Sequence, residues 1–360
     1  MTSPASPNFS PPSAVHWWRG VTLVLLTTVC LSLQNVFARI AQSPKAVLMF
    51  GGLFELGGYV ANDANKLQIS LLVLFLRISF VLPVLWLMLP ILKPGAWAEA
   101  RQIAMGGDHK LQLRIGAAGF FLFLSQTSIY FSISHVGPAT AVTLFFIYPT
   151  VTTLLAWWLF RERPSYKHWL AVLLIYLGCI WLTVAPIFSG TVAVPILHPS
   201  LSPTAMGTTI GVIAALVSGV VFALEGVIAQ SCFSKVNPAT FTGLIFAVEW
   251  VLLAIVHCFS RVMFLKEVPI TPGLIGIGGL ISITTLSGYL LNNFGIREIG
   301  AAATAMIGSS GPVVTAILVV LLIAKPLPTD IIIPEKWGAI LLVSLGVLLM
   351  NLGRVGAKSS

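Results

Sequence analysis

From residue 18 to residue 353 the chain is a succession of apolar runs, each about twenty residues long, with gaps as short as Val136-Gly137 between them. Lipid offers no hydrogen bonds, so a spanning segment must satisfy its own backbone as a helix or close into a barrel. The runs are continuous rather than alternating, which selects the helix. At about 1.5 Å per residue, roughly twenty residues cross the hydrocarbon core. Ten spans fit: 18–40, 69–91, 115–135, 138–160, 168–188, 206–230, 240–262, 272–296, 300–323 and 336–353. Composition agrees, because only 9% of the residues are charged and 57% are hydrophobic. A soluble domain carries roughly 25% charge.

The net charge of +9 does not argue for nucleic acid, since the basic residues sit in the short gaps between apolar runs. They read instead as orientation signals. With a cytoplasmic N-terminus, the inside holds Arg19, Lys93, Arg101, Lys110, Arg114, Arg161, Arg163, Lys167, Lys235, Arg297, Arg354 and Lys358. The outside holds Arg39, Lys45, Lys66, Arg261, Lys266, Lys325 and Lys336, and Arg77 lies within span two. Both termini are therefore expected in the cytoplasm of a multi-pass cell-membrane protein. The scattered cysteines and histidines have no metal spacing, and no cofactor motif is present in the sequence. The long first run, with no small-residue cleavage site after it, reads as a span rather than a signal peptide.

The chain also repeats itself. Residues 137–149 read GPATAVTLFFIYP and residues 300–312 read GAAATAMIGSSGP, with the terminal Gly and Pro in register at an offset of 163. Trp169 to Gly178 matches Trp337 to Gly346 in the same way. The division expected is a disordered tail at 1–17, a five-helix repeat at 18–188, a Pro-rich linker at 189–205, a second five-helix repeat at 206–353 and a tail at 354–360. Five is odd, so the second repeat would insert upside down relative to the first. The expected fold is all-α, ten helices in two inverted repeats, which is an architecture of secondary transporters. The polar, Gly-rich insertion at 41–68 has no counterpart in the second half.

These features resemble a known family. Five plus five spans, the Gly-Pro-Ala-Thr-Ala opening of span four, Tyr148-Pro149 within it and Arg161-Glu162-Arg163 at its end are similar to the EamA branch of the drug/metabolite transporters. The resemblance covers 18–353 and implies a carrier of small metabolites. The second half departs from the pattern, reading Ala324-Lys325-Pro326 where the Arg-Glu pair would fall.

Polar groups at bilayer depth are costly and should face a cavity or a partner. Gln126 and Tyr130, one turn apart in span three, match Tyr289 and Asn293 in span eight at the 163 offset, with Asn292 adjacent. Gln34 and Asn35 in span one match Glu225 and Gly226 in span six at an offset of 191. Gln34, Asn35, Gln126, Tyr130, Tyr289, Asn292 and Asn293 are the candidate cavity lining. The competing reading is interhelical hydrogen bonding. Glu225, a carboxyl inside an apolar helix, is a candidate carrier for a coupling proton. Arg77 and Glu249 occupy opposed positions in spans two and seven and invite an ion pair, structural or gating; the alternative has Arg77 meeting a substrate carboxylate. Pro149 and Pro312 would kink spans four and nine. Spans five and ten are almost wholly apolar and are the candidates for a dimer contact.

The function expected is secondary active transport, as an exporter, of a small polar metabolite such as an amino acid. The partners are the lipid bilayer and that solute, without nucleic acid. No Walker-type phosphate loop supports a pump. A membrane enzyme or a channel is the alternative.

Overall fold

The computed structural model describes residues 14–43, 46–49, 54–58, 66–160, 203–263, 271–308 and 310–323, with parts of 169–181 and 337–349. Its helices are α1 (Ala14–Ala41), α2 (Lys66–Leu92), α3 (Ala96–Met105), α4 (His109–Val136), α5 (Pro138–Phe145), α6 (Tyr148–Phe160), α7 (Pro203–Cys232), α8 (Pro238–Met263), α9 (Pro272–Ile299), α10 (Ala301–Gly308) and α11 (Gly311–Leu322). Among the described residues, seven helical stretches are long and apolar enough to cross a membrane. Span five retains an apolar helical stretch at Trp169–Gly178 and span ten one at Trp337–Gly346. Both spans fall largely outside the described residues, as do the two tails and the linker.

The structure alters three expectations. The insertion after span one is not wholly irregular: strands β1 (Ala46–Met49) and β2 (Phe54–Gly57) pair antiparallel. The fold is therefore helical with one added hairpin, which packs against α1 and α9. The loop between spans two and three contains the short helix α3. Most consequential, span four is α5 and α6, and span nine is α10 and α11. Pro149 and Pro312 do not bend continuous helices. Each is the second residue of a new one, where a missing N–H costs nothing because first-turn donors have no intrahelical partner anyway.

Local chemistry sets these boundaries twice over. Asp108 caps α4 by accepting from the Leu111 amide at 3.2 Å, and Thr271 caps α9 by accepting from Leu274 at 3.3 Å. Gly137 ends α4 at φ 79° and Gly300 ends α9 at φ 85°. Only glycine takes that left-handed backbone without strain. Each glycine amide closes the preceding helix on Ile133 or Ile296, and a new helix begins at the next residue. All these pairs are related by the 163 offset.

The largest helix contacts cross between the two sequence halves: α1 lies against α9, and α4 against α7. Lipid removes the hydrophobic drive for such contacts, so close packing and hydrogen bonds must supply it. Ser125 Oγ donates to the Ser218 carbonyl at 3.1 Å, and Ser218 Oγ donates back to the Ser125 carbonyl at 2.8 Å. The counterpart at α1–α9 is Thr27 Oγ1 donating to Gly288 at 3.4 Å. Gly219 lets α7 close on the break between α5 and α6: a β-carbon there would lie 2.3 Å from the Phe145 carbonyl oxygen. That carbonyl is the acceptor that Pro149, four residues on, cannot serve. On the opposite faces, Leu87, Ile91, Leu113, Phe259, Ile283 and Leu321 are exposed, as a lipid contact requires.

Candidate functional site

Where α1, α4, α7 and α9 meet the two broken helices, they enclose a cavity of about 60 Å³. That volume holds a few waters. Its lining includes Gln34, Asn35, Gln126, Tyr289 and Asn292 from the sequence-derived candidates. Tyr130 and Asn293 do not line it. Both are fully buried behind the wall, and Asn293 donates to Thr242 Oγ1 at 2.8 Å. The lining on α4 and α9 runs at i and i+3 rather than i and i+4. Gln126 is followed by Ile129, and Tyr289 by Asn292. The choice follows from helix rotation: a step of four residues overshoots a full turn while three undershoots it, and the cavity lies on the undershooting side.

Behind Gln126 stands a buried polar network. Arg77 Nη2 donates to Glu249 Oε1 at 2.6 Å, and both side chains are fully buried. Arg77 Nη1 donates to Gln126 Oε1 at 2.7 Å, and its guanidinium lies 5.4 Å from the centre of the Tyr130 ring. Gln126 then donates to the Tyr289 hydroxyl, crossing from the first half to the second. Thr285 Oγ1 donates to Gln34 Oε1 at 2.8 Å, and Gln34 Nε2 stands 3.5 Å from Gln126 Oε1. Ser282 donates to the Arg77 carbonyl at 3.0 Å. Arg77 and Glu249 thus lie together, one step behind the cavity wall.

A second, smaller cavity of about 20 Å³ adjoins the first and shares Tyr148, Phe222 and Asn292 with it. Glu225, Gly226 and Thr304 line it. Glu225 is 1% exposed, and among the described residues neither of its carboxyl oxygens has a hydrogen-bond partner.

Sequence reasoning missed two parts of the wall. One is a hydroxyl stripe on α1 formed by Thr27, Thr28 and Ser32. Its spacing from Asn35 marks a single helix face and was legible. The other is aromatic. Phe145, Phe146, Tyr148 and Phe222 have neighbouring ring centres 5.0–5.6 Å apart. Three of these rings come from the α5–α6 break. The matching positions at the α10–α11 break are Gly308, Ser309 and Gly311. Rings on one side meet glycines on the other: a β-carbon on Gly311 would lie 2.6 Å from Phe146 Cζ, and one on Gly308 would lie 2.9 Å from Tyr148 Oη. Tyr148 also donates to the Ala305 carbonyl at 3.2 Å, in the last turn of α10. Apolar residues without a repeat partner gave no signal in the sequence.

The sequence matches the model of the EamA-like transporter family over residues 18–184 and 209–352. This chain belongs to the EamA-like transporter family. The protein is accordingly a multi-pass membrane transporter. It is 32% identical over 342 residues to the uncharacterized transporter sll1319 of Synechocystis sp., covering 94% of this chain and 95% of the relative. It is 25% identical over 253 residues to the uncharacterized transporter YyaM of Bacillus subtilis, covering 67% and 75%. A solved crystal structure has the same fold, with a TM-score of 0.53 at 17% identity, over 94% of this chain and 97% of the other.

At one end of the bundle the halves are tied by polar contacts. Lys235 Nζ lies 2.8 Å from Asp108 and Lys93 Nζ 2.6 Å from Glu99. Glu99 also accepts from the Asn237 amide at 3.2 Å and from Thr240 Oγ1 at 2.6 Å. Partial burial pushes the Glu99 carboxyl up, but Lys93, Thr240 and Asn237 outweigh it and hold the group below the usual carboxylate range. Asp108 is likewise held low, by the hydrogen bond from Lys235.

Proposed function

We propose that this protein is a secondary active exporter of a small polar metabolite such as an amino acid. It would work by alternating access between two inverted five-helix repeats, 18–188 and 206–353, joined by the linker 189–205. The observation that carries the reading is the pair of broken helices, α5–α6 and α10–α11, facing one cavity between the halves that is lined by polar and aromatic side chains. Discontinuous helices at a repeat interface are where transporters place their sites, because freed backbone groups can serve a solute instead of the helix. The ten apolar runs would make ten crossings of the cell membrane, and the Lys and Arg distribution supports placing both termini in the cytoplasm. The family match supports transport rather than catalysis as its use.

In this scheme Gln34, Asn35, Gln126, Tyr289 and Asn292 face the solute. Arg77 and Glu249 fix the back wall and neutralise each other. Glu225 carries the coupling proton. Apolar spans five and ten supply a homodimer contact. Purified protein in proteoliposomes should show saturable uptake of a labelled amino acid and counterflow when loaded with it unlabelled. Flux that rises linearly with concentration, without counterflow, would sink the proposal.

A further inference from the structure

The balance of charge and aromatic surface around the cavity narrows the solute class, taking the carrier reading above as its basis. Both Arg77 terminal nitrogens are committed, to Glu249 and Gln126, and Arg77 lines neither cavity, so it stands out of reach of a solute carboxylate there. The carboxyl that lines these cavities is Glu225, which has no opposite charge against it among the described residues. Three acceptors around the smaller cavity lack donors: both Glu225 carboxyl oxygens and Thr304 Oγ1. A primary ammonium group brings three N–H donors and no acceptor. It is also close to the size of a water molecule, and the 20 Å³ cavity suits one such group rather than a whole solute.

Tyr148 and Phe222, with Asn292, line both the larger cavity and the smaller one. Their rings meet edge to face with centres 5.2 Å apart. Phe222 sits three residues before Glu225, on the same face of α7. Aromatic faces attract cations and pack against an alkyl stem. A carboxylate, by contrast, brings acceptors only and would meet the Glu225 oxygens with no cation beside them among the described residues. We infer that the smaller cavity, built by Glu225 and Thr304 beneath the Tyr148 and Phe222 rings, is the subsite for the protonated primary amine of the transported solute.

Labelled n-butylamine at neutral pH is a suitable probe, measured by equilibrium binding to the purified full-length protein in detergent. Saturable binding is expected, with no competition from n-butanol, butyrate or tetramethylammonium. Glu225→Gln should weaken it by roughly tenfold or more, and Thr304→Val by less. If Glu225→Gln does not remain monodisperse, Thr304→Val and Phe222→Leu decide, since both leave the carboxyl in place and both should weaken binding. Equal competition by n-butanol, or binding unchanged in these variants, overturns the subsite. Amino-acid counterflow in proteoliposomes without any n-butylamine binding overturns the subsite and leaves the carrier standing. Butylamine binding without saturable flux of amine or amino acid supports the subsite and overturns the carrier.

Discussion

Replacing Glu249 by glutamine should be among the most damaging single changes in this protein. The side chain keeps its shape, but the Arg77 guanidinium then stands fully buried without its counter-ion. Breaking a buried ion pair from one side costs about 3–5 kcal/mol. The contact from Arg77 to Gln126 at 2.7 Å and the Tyr130 ring at 5.4 Å persist, which places the loss near the low end. Taking about 3 kcal/mol and roughly 2–4 °C per kcal/mol, the melting temperature in detergent should fall by about 6–12 °C. Removing both partners, as Arg77→Met with Glu249→Leu, should recover most of that loss, because no charge is left stranded. Reversing the pair, as Arg77→Glu with Glu249→Arg, should also restore expression lost in either single variant. A Glu249→Gln protein that melts within about 1 °C of the parent would refute the argument. A double variant whose loss equals the sum of the singles would show that the two residues are not coupled.

Three further outcomes follow from other contacts. Gly311→Ala should slow transport by driving a methyl into Phe146, and Phe146→Leu in the same chain should restore it; flux in proteoliposomes decides, and no rescue would mean the rings and glycines do not meet during the cycle. Gly219→Ala should lower the melting temperature more than Gly226→Ala, because the first added carbon meets the rigid Phe145 carbonyl and the second meets nothing within 4 Å. The tie at Glu99 should weaken in acid. Its carboxyl is held low in the folded protein, so its stabilisation is fully present above the unfolded carboxylate value near ~4.3 and is lost as pH falls through the folded value. Glu99→Gln should flatten the loss of melting temperature in that acidic range while changing little between neutral pH and the onset of that loss, and an unaltered pH profile would count against the tie.

The sequence alone was sufficient for whatever depends on local pattern. Apolar runs of spanning length, the paired glycines at 137 and 300 and the prolines at 149 and 312 follow from backbone physics, and all but the prolines' exact effect were legible. Proline reports that one hydrogen bond is missing. Whether the helix bends or stops is not set by proline alone, and here Gly219 of a distant helix packs closely against the freed Phe145 carbonyl. The polar candidates were found because a group costly in lipid repeats only where it has a use. Which of them face the cavity was a question of helix rotation, and a small one: Asn292 is in the wall, and its neighbour Asn293 is bonded to Thr242 behind it. The pairing of Arg77 with Glu249 was suggested by position, but its consequence emerged only in three dimensions. Once that pair closes on itself, the carboxyl left without a partner at the cavities, among the described residues, is Glu225. The aromatic wall left no trace in pattern, since a phenylalanine beside a cavity and one beside lipid look alike along the chain. Local sequence thus determined where the helices begin, end and break. Tertiary packing decided which of their side chains share a space, because that depends on how distant helices rotate against one another.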